Sequence, residues 1–275
     1  MRIKICHDTV YTYATPVRGV IQLLRLTPRS FDALFVADWR VEVSVDPRLV
    51  QHEDAFGNIT HAFQADGPLD ELRVLVEGEV ETHDSQGVVR GTIERFPAGL
   101  FLRETPLTAP SDEIRALAAE LRVGFAADDL GFLHALNARL PDDIAFDTDP
   151  THAATSAAEA YALRRGVCQD MAHVFLAAAR AAGVPARYVS GYFHRADGVV
   201  EQEAGHAWAE AHVPDLGWVA FDPANRVCAT EAHVRVAVGL DYLSAAPVRG
   251  TRTGGSHETL AVKLQVAHAA RQAQN

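Results

Sequence analysis

The chain has 275 residues, 48% hydrophobic and 22% charged, the proportions of an ordinary soluble globular protein with room for one large domain or two smaller ones. Its 36 acidic residues against 25 basic ones leave a formal charge of −11, which argues against nucleic acid or an anionic membrane as the main partner. No apolar run approaches the roughly 20 residues that span a bilayer, and the first ten residues are interrupted by Lys4, His7 and Asp8. Neither a membrane anchor nor a secretory leader is read, so a cytoplasmic location is expected. Three cysteines, Cys6, Cys168 and Cys228, cannot form a fully paired disulfide framework, and a reducing compartment suits them.

In chain order, residues 2–13, 34–45, 59–64 and 72–82 read as strands, separated by turn signals at 54–58 and 66–68. They predict a β-rich domain over 1–105, with Cys6 packed as a small hydrophobe in its first strand. Pro106 and Pro110 mark the boundary, after which Ser111 stands as a helix cap with Asp112 and Glu113 in the first turn. Residues 130–140 read as a second helix, 144–146 lead into a loop over 147–155, and 156–164 form a short helix. A core over 106–245 is followed by a C-terminal piece, 246–275: a Gly- and Thr-rich stretch at 249–256, then a strand alternating through Leu260, Val262, Leu264 and Val266. Residues 269–275 are expected to fray.

The chemistry gathers between 165 and 223. Apolar residues at Val167, Met171, Val174, Phe175, Ala178 and Ala182 follow one face of a helix that Gly183 and Pro185 stop. Gly166 lets the chain turn into that helix, placing Cys168 in its first turn, where unpaired N–H groups and the dipole favour a thiolate and could stabilise an oxyanion. Residues 205–213 then alternate, with His206, Trp208, Glu210 and His212 on one face, and 218–222 form the partner strand, stopped by Pro223. A turn of roughly three or five residues gives facing partners an even index sum. Asp222 then shares the face of His206 as a diagonal neighbour, since direct opposition about Pro214 leaves no room for a turn.

Taken singly, each of these residues has a commoner structural use: a cysteine as a small core residue, a strand histidine as a packing group, an aspartate before proline as a turn former. Their ordered combination points instead to a thiol nucleophile, Cys168, a base, His206, and an orienting acid, Asp222. Trp208 and Trp218 are candidate cleft walls, and Gln169 and Asp170, beside the nucleophile, are candidates to contact substrate, Asp170 with a structural alternative. His173 lies about 140° from Cys168 round the helix and reads as a buried structural histidine. Cys228 reads as structural. No metal or cofactor is expected: there is no HExxH or paired CxxC, and six residues along a strand put His206 and His212 about 20 Å apart, too far for one ion. Tyr192 and Arg187 follow the cysteine helix, and which side chain completes an oxyanion hole is left open.

The segments Gly166-Val167-Cys168-Gln169-Asp170-Met171-Ala172-His173, 182–192, Gly205-His206-Ala207-Trp208-Ala209-Glu210 and 217–225 resemble the bacterial transglutaminase-like cysteine protease family. Tyr11-Thr12-Tyr13-Ala14-Thr15-Pro16-Val17, Arg25-Leu26-Thr27-Pro28 and Asp54-Ala55-Phe56-Gly57-Asn58 are similar to the β-rich N-terminal domain that accompanies that core. The resemblance implies an α+β, papain-like core in which the helix bearing Cys168 packs on an antiparallel sheet carrying His206 and Asp222. It implies a cysteine-dependent acyl transfer on a peptide, protein or small amide, with hydrolysis expected ahead of transfer to an amine. A silent peptide-binding module is the reading from another class. Gln169 stands where the animal crosslinking enzymes of the superfamily have tryptophan, and no calcium loop of the EF-hand kind is present, which weakens any carry-over of their substrate preference.

Overall fold

The computed structural model describes residues 1–45 and 48–269; the terminus expected to fray lies, past Ala269, outside them. The described residues begin with β1 (Arg2–Thr27), β2 (Leu34–Val43), β3 (Val50–Glu53) and β4 (Ile59–Thr82). A connecting stretch containing β5 (Val88–Val89) leads to α1 (Asp112–Gly124), α2 (Asp129–Asp143), β6 (Ala145–Phe146), α3 (Ala157–Leu163), β7 (Arg165–Gly166) and α4 (Cys168–Ala181). Then come β8 (Ala186–Phe193), β9 (Glu201–Gln202), β10 (His206–Val213), β11 (Gly217–Asp222), β12 (Val227–Cys228) and β13 (His233–Gly239). A short α5 (Tyr242–Ala245) precedes β14 (Val248–Gly254) and β15 (Glu258–His268).

The first sheet is organised around β1, which does not end at Tyr13 as its sequence pattern suggests but continues to Thr27. Pro16 has no N–H for the ladder, so the register slips between Thr12 and Val17, and beyond the slip Val17, Val20 and Leu24 resume inward alternation. The two strands read at 59–64 and 72–82 are likewise one, β4, because the irregular stretch at 66–68 faces the same slip in β1. Glycine is required there: a Cβ on Gly67 would lie 2.0 Å from the Val17 carbonyl. On the far side of β1, β15 pairs with Ile3–Tyr13 and β14 with Val17–Leu24, so the C-terminal piece closes the first sheet. Cys6 is half-buried on the outer face of β1, its thiol pushed up by burial and by Glu77 and Asp8, and is not the packed core residue expected.

The second sheet runs β12-β11-β10-β8-β13, with β5 added on β11. Helix α4 lies against it, and α1, α2 and α3 pack on α4. Ala172, Val174, Phe175, Leu176, Ala177, Ala178 and Ala179 are therefore all at 0% exposure, and the one-sided helix that the apolar spacing suggests is buried all round. The run of alanines permits that close approach on both sides, while Phe175 stacks on Phe221 of β11 at 5.3 Å between ring centroids. Each large apolar side chain buried in this way contributes about 1.5–3 kcal/mol.

The two sheets meet through a shared apolar layer of Ile3, Ile5, Val80, Tyr192, Val234, Val236 and Leu264. Asn58 clamps β13 by donating to the Val238 carbonyl and accepting from its N–H, both at 2.8 Å. The connecting stretch, read as part of the first domain, packs on the second sheet, where Val88 and Val89 pair with β11, Phe101 meets Trp218 and Glu94 binds Arg187.

Candidate active site

The start of α4 is fixed from beneath. Asp170 is 1% exposed, and its carboxylate accepts from the Val167 N–H and the Thr151 hydroxyl, each at 2.8 Å. Gly166 is needed because a Cβ there would sit 2.7 Å from the same carboxylate, a tighter constraint than the sharp turn suggested by its sequence position. Burial raises the Asp170 carboxyl against the pull of those hydrogen bonds. It is thus a cap that holds Cys168 at the first helical position, and it does not line the cleft as a substrate contact. Gln169 does not line the cleft either.

The hairpin β10–β11 pairs Ala209 with Phe221 and Val213 with Gly217, leaving Pro214, Asp215 and Leu216 as the turn. The index sum is even, so Asp222 lies on the face of His206, diagonally across from it. His206 Nε2 and Asp222 Oδ2 are 2.7 Å apart. Asp222 is fully buried, and its carboxylate also accepts from Asn225 Nδ2 at 2.6 Å, from the Asn225 N–H at 3.3 Å and from His233 Nε2 at 3.1 Å. Burial by itself would raise this carboxyl, but the His206 charge and the donors hold it well below the usual carboxylate range. Burial likewise lowers the His206 imidazole, yet Asp222 and Cys168 outweigh it and push the ring up to about 10.

A cleft of about 770 Å³ opens on Cys168 and His206. Phe146, Val167 and Phe193 give it an apolar side, and the stretch 195–205, which contains β9, brings Glu201 and Glu203 to its lip beside a mutually paired Arg195 and Asp197. Phe146 is 64% exposed and pairs in parallel register with Gly166, two residues before the cysteine. Sequence reasoning left it at the edge of a loop.

Neither tryptophan forms a wall. Trp208 is 1% exposed beneath His206, its ring at 6.0 Å, and Trp218 is buried at the far end of the hairpin against Arg187 and Phe101. Their strand face is covered by Phe56 and the connecting stretch, which turns both rings into core. Tyr192 bonds His7 of the first sheet and Arg187 bonds Glu210 and Glu94, so neither completes an oxyanion hole. His173 is fully buried and accepts from the Tyr242 N–H at 3.0 Å; burial lowers its ring to about 4. Cys228 is half-buried on β12, outside the cleft, and burial raises its thiol.

His206, Asp222 and His233 bring their ligand atoms within 4.8 Å of one another, the donor set of a small metal site. Its chemistry opposes that use. The Thr230 N–H donates to His233 Nδ1 at 3.0 Å, so the proton of the neutral ring sits on Nε2, facing Asp222, where a metal would need a lone pair. Asn225 and His233 were both missed from sequence. An asparagine three residues after an aspartate, in Asp222-Pro223-Ala224-Asn225, is a turn signal that could have found the first. His233 arrives from a separate strand and leaves no local mark.

Fold and site together define an α+β protein with a thiol, an imidazole and a buried carboxylate gathered at one end of an antiparallel sheet. The chain belongs to the transglutaminase-like superfamily, whose core description matches residues 115–223, and residues 3–81 match the bacterial transglutaminase-like N-terminal region. It is 32% identical to an uncharacterised protein of Mycobacterium leprae, over 96% of this chain and 98% of that one. A protein-glutamine gamma-glutamyltransferase of Pseudomonas aeruginosa is 33% identical over 128 residues, covering 42% of this chain and 16% of that much longer protein. Among solved structures, a presumed cysteine protease from Cytophaga hutchinsonii superposes with a TM-score of 0.79 at 20% identity, over 100% of this chain and 92% of that one, which shows a shared fold.

Proposed function

We propose that this protein is a cysteine-dependent acyl-transfer enzyme that hydrolyses an amide, peptide or isopeptide bond, with Cys168 as nucleophile, His206 as general base and acid, and Asp222 as the orienting acid. The observation that carries this reading is the 2.7 Å His206–Asp222 contact at the edge of a cleft that also opens on Cys168 at the first turn of a helix. With Nε2 committed to Asp222, Nδ1 is the nitrogen left to take the thiol proton. The sulfur then attacks the carbonyl carbon, the N–H groups at the start of α4 offer donors to the oxyanion, the C–N bond breaks, and His206 returns its proton to the leaving amine. In the second half His206 takes a proton from water, the resulting hydroxide attacks the thioester, the C–S bond breaks to release the acid, and His206 returns the proton to the sulfur.

Transfer to an amine in place of water is the second reading, favoured by the name of the Pseudomonas aeruginosa relative. Peptide and glutamine-containing libraries, incubated with and without a labelled primary amine, separate the two. Free product without added amine, and little incorporation with it, supports hydrolysis. Efficient incorporation at low amine concentration overturns it in favour of transglutamination.

A further inference from the structure

The proposed mechanism uses one histidine, but two of them meet on one carboxylate oxygen. His233 sits at the start of β13, nearly inaccessible, wedged against Phe193 at 4.7 Å and edge-on to Trp208 at 5.3 Å between ring centroids. Its Nδ1 accepts the Thr230 N–H, so its Nε2–H can only donate, and it donates to Asp222 Oδ2. His206, which lines the cleft, meets that same oxygen. Asn225 ties Asp222 only to its own turn, whereas His233 ties it to the strand that the first sheet packs against.

We infer that His233 is a positioning residue: a tautomer-locked donor that holds the Asp222 carboxylate in place beneath His206, so that the docked N-terminal sheet stabilises the catalytic imidazole through β13. This inference rests on the functional reading above. The charged and titratable groups facing His233 are Asp222 and His206 on the cleft side, with Cys168 beyond them, and His83, Glu210 and Arg235 across a small cavity on the other side, where Glu210 and Arg235 already bind each other. Asp222 is thus the acceptor through which His233 acts on the site.

The test follows histidine ring signals by NMR in the parent, His233→Phe and His233→Gln. In the parent at about pH 8 the ring proton of His233 should reside on Nε2; a proton on Nδ1 overturns the inference without any variant. In His233→Phe, which removes the donor, the His206 midpoint should fall by about one unit or more as Asp222 loses its anchor, and His233→Gln, whose amide can donate from a similar position, should recover most of it. A purely structural role would lower the melting temperature of both variants and leave the midpoint alone, and that result contradicts the inference. Labelling by iodoacetamide in the same samples keeps the two ideas apart. If Cys168 of the parent labels no faster than Cys6 and Cys228, the functional reading fails, while the tautomer and midpoint still judge His233.

Discussion

Two fully buried carboxylates lie on the same face of the second sheet, Glu210 in the middle of β10 and Asp222 at the end of β11, and their surroundings differ in kind. Glu210 is gripped by Arg187 at 2.6 Å and Arg235 at 2.7 Å, with Arg187 stacked on Trp218 at 3.9 Å and bound again by Glu94. Guanidinium groups stay charged at every relevant pH, so although burial opposes it, the two arginines hold Glu210 down to about 2 and its charge state never changes in use. Asp222 has two imidazoles and one amide instead. Of these partners His206 gains and loses a proton with the surrounding pH, so the burial of Asp222 is coupled to the protonation of His206. Equal burial gives a carboxylate tied to permanent charges in one place and one coupled to a titrating imidazole in the other, and the partner side chains decide which.

Replacing each acid by its amide should separate the two roles. Asp222→Asn should lower turnover by about 10³-fold or more, because the imidazole loses the acceptor that fixes its tautomer. It should cost less stability than the Glu210 variant, since His206 can simply deprotonate. Glu210→Gln should cost about 3–5 kcal/mol, because Arg235 loses its counter-charge and Arg187 is left with Glu94 alone. Activity per folded molecule should fall far less than in Asp222→Asn. Turnover assays and denaturant melts on the same preparations check both statements, and equal activity in Asp222→Asn and parent would remove Asp222 from the mechanism.

The pH dependence of stability sharpens the same contrast. His206 is raised from 6.5 to about 10, so its contribution is complete below about pH 6.5 and is lost as pH rises through about 10. Asp222 is depressed, so its contribution is complete above the ordinary aspartate value of about 4 and is lost only as pH falls well below it. Melting temperatures of the parent should therefore be highest between about pH 4 and 6.5 and decline toward 10, a decline that His206→Gln should flatten. Glu210→Gln should keep the alkaline slope, because Glu210 changes charge only near pH 2. Phe146 belongs to neither carboxylate and provides the smallest effect. Phe146→Ala should leave stability within about 0.5 kcal/mol and raise KM a few-fold at nearly constant kcat, read from steady-state kinetics.

What the sequence disclosed follows the range over which each signal acts. Ser111 caps its helix as read, and the parity of the β10–β11 hairpin put Asp222 diagonal to His206. Both are local rules. The continuation of β1 past Pro16 was hidden, because a proline in a strand looks like an end unless the partner strand is irregular at the same level. β14 was hidden as well: exposed through nearly its whole length, it has no apolar alternation to betray it. Trp208 and Trp218 occupied the expected strand face, but the sequence carried no sign that a distant stretch would bury that face. For the same reason His233, which comes from another strand, and Phe146, which pairs with Gly166, could not be assigned beforehand.

The proposed reaction requires Cys168 to form a covalent acyl intermediate supported by His206 and Asp222. Intact mass spectrometry of the protein quenched in acid during turnover of a peptide or glutamine-containing library tests it most directly. The expected product is an acyl adduct that maps to Cys168, is absent in Cys168→Ala and accumulates poorly in His206→Gln. Turnover that persists in Cys168→Ala, or an adduct on Cys6 or Cys228 instead, would contradict it.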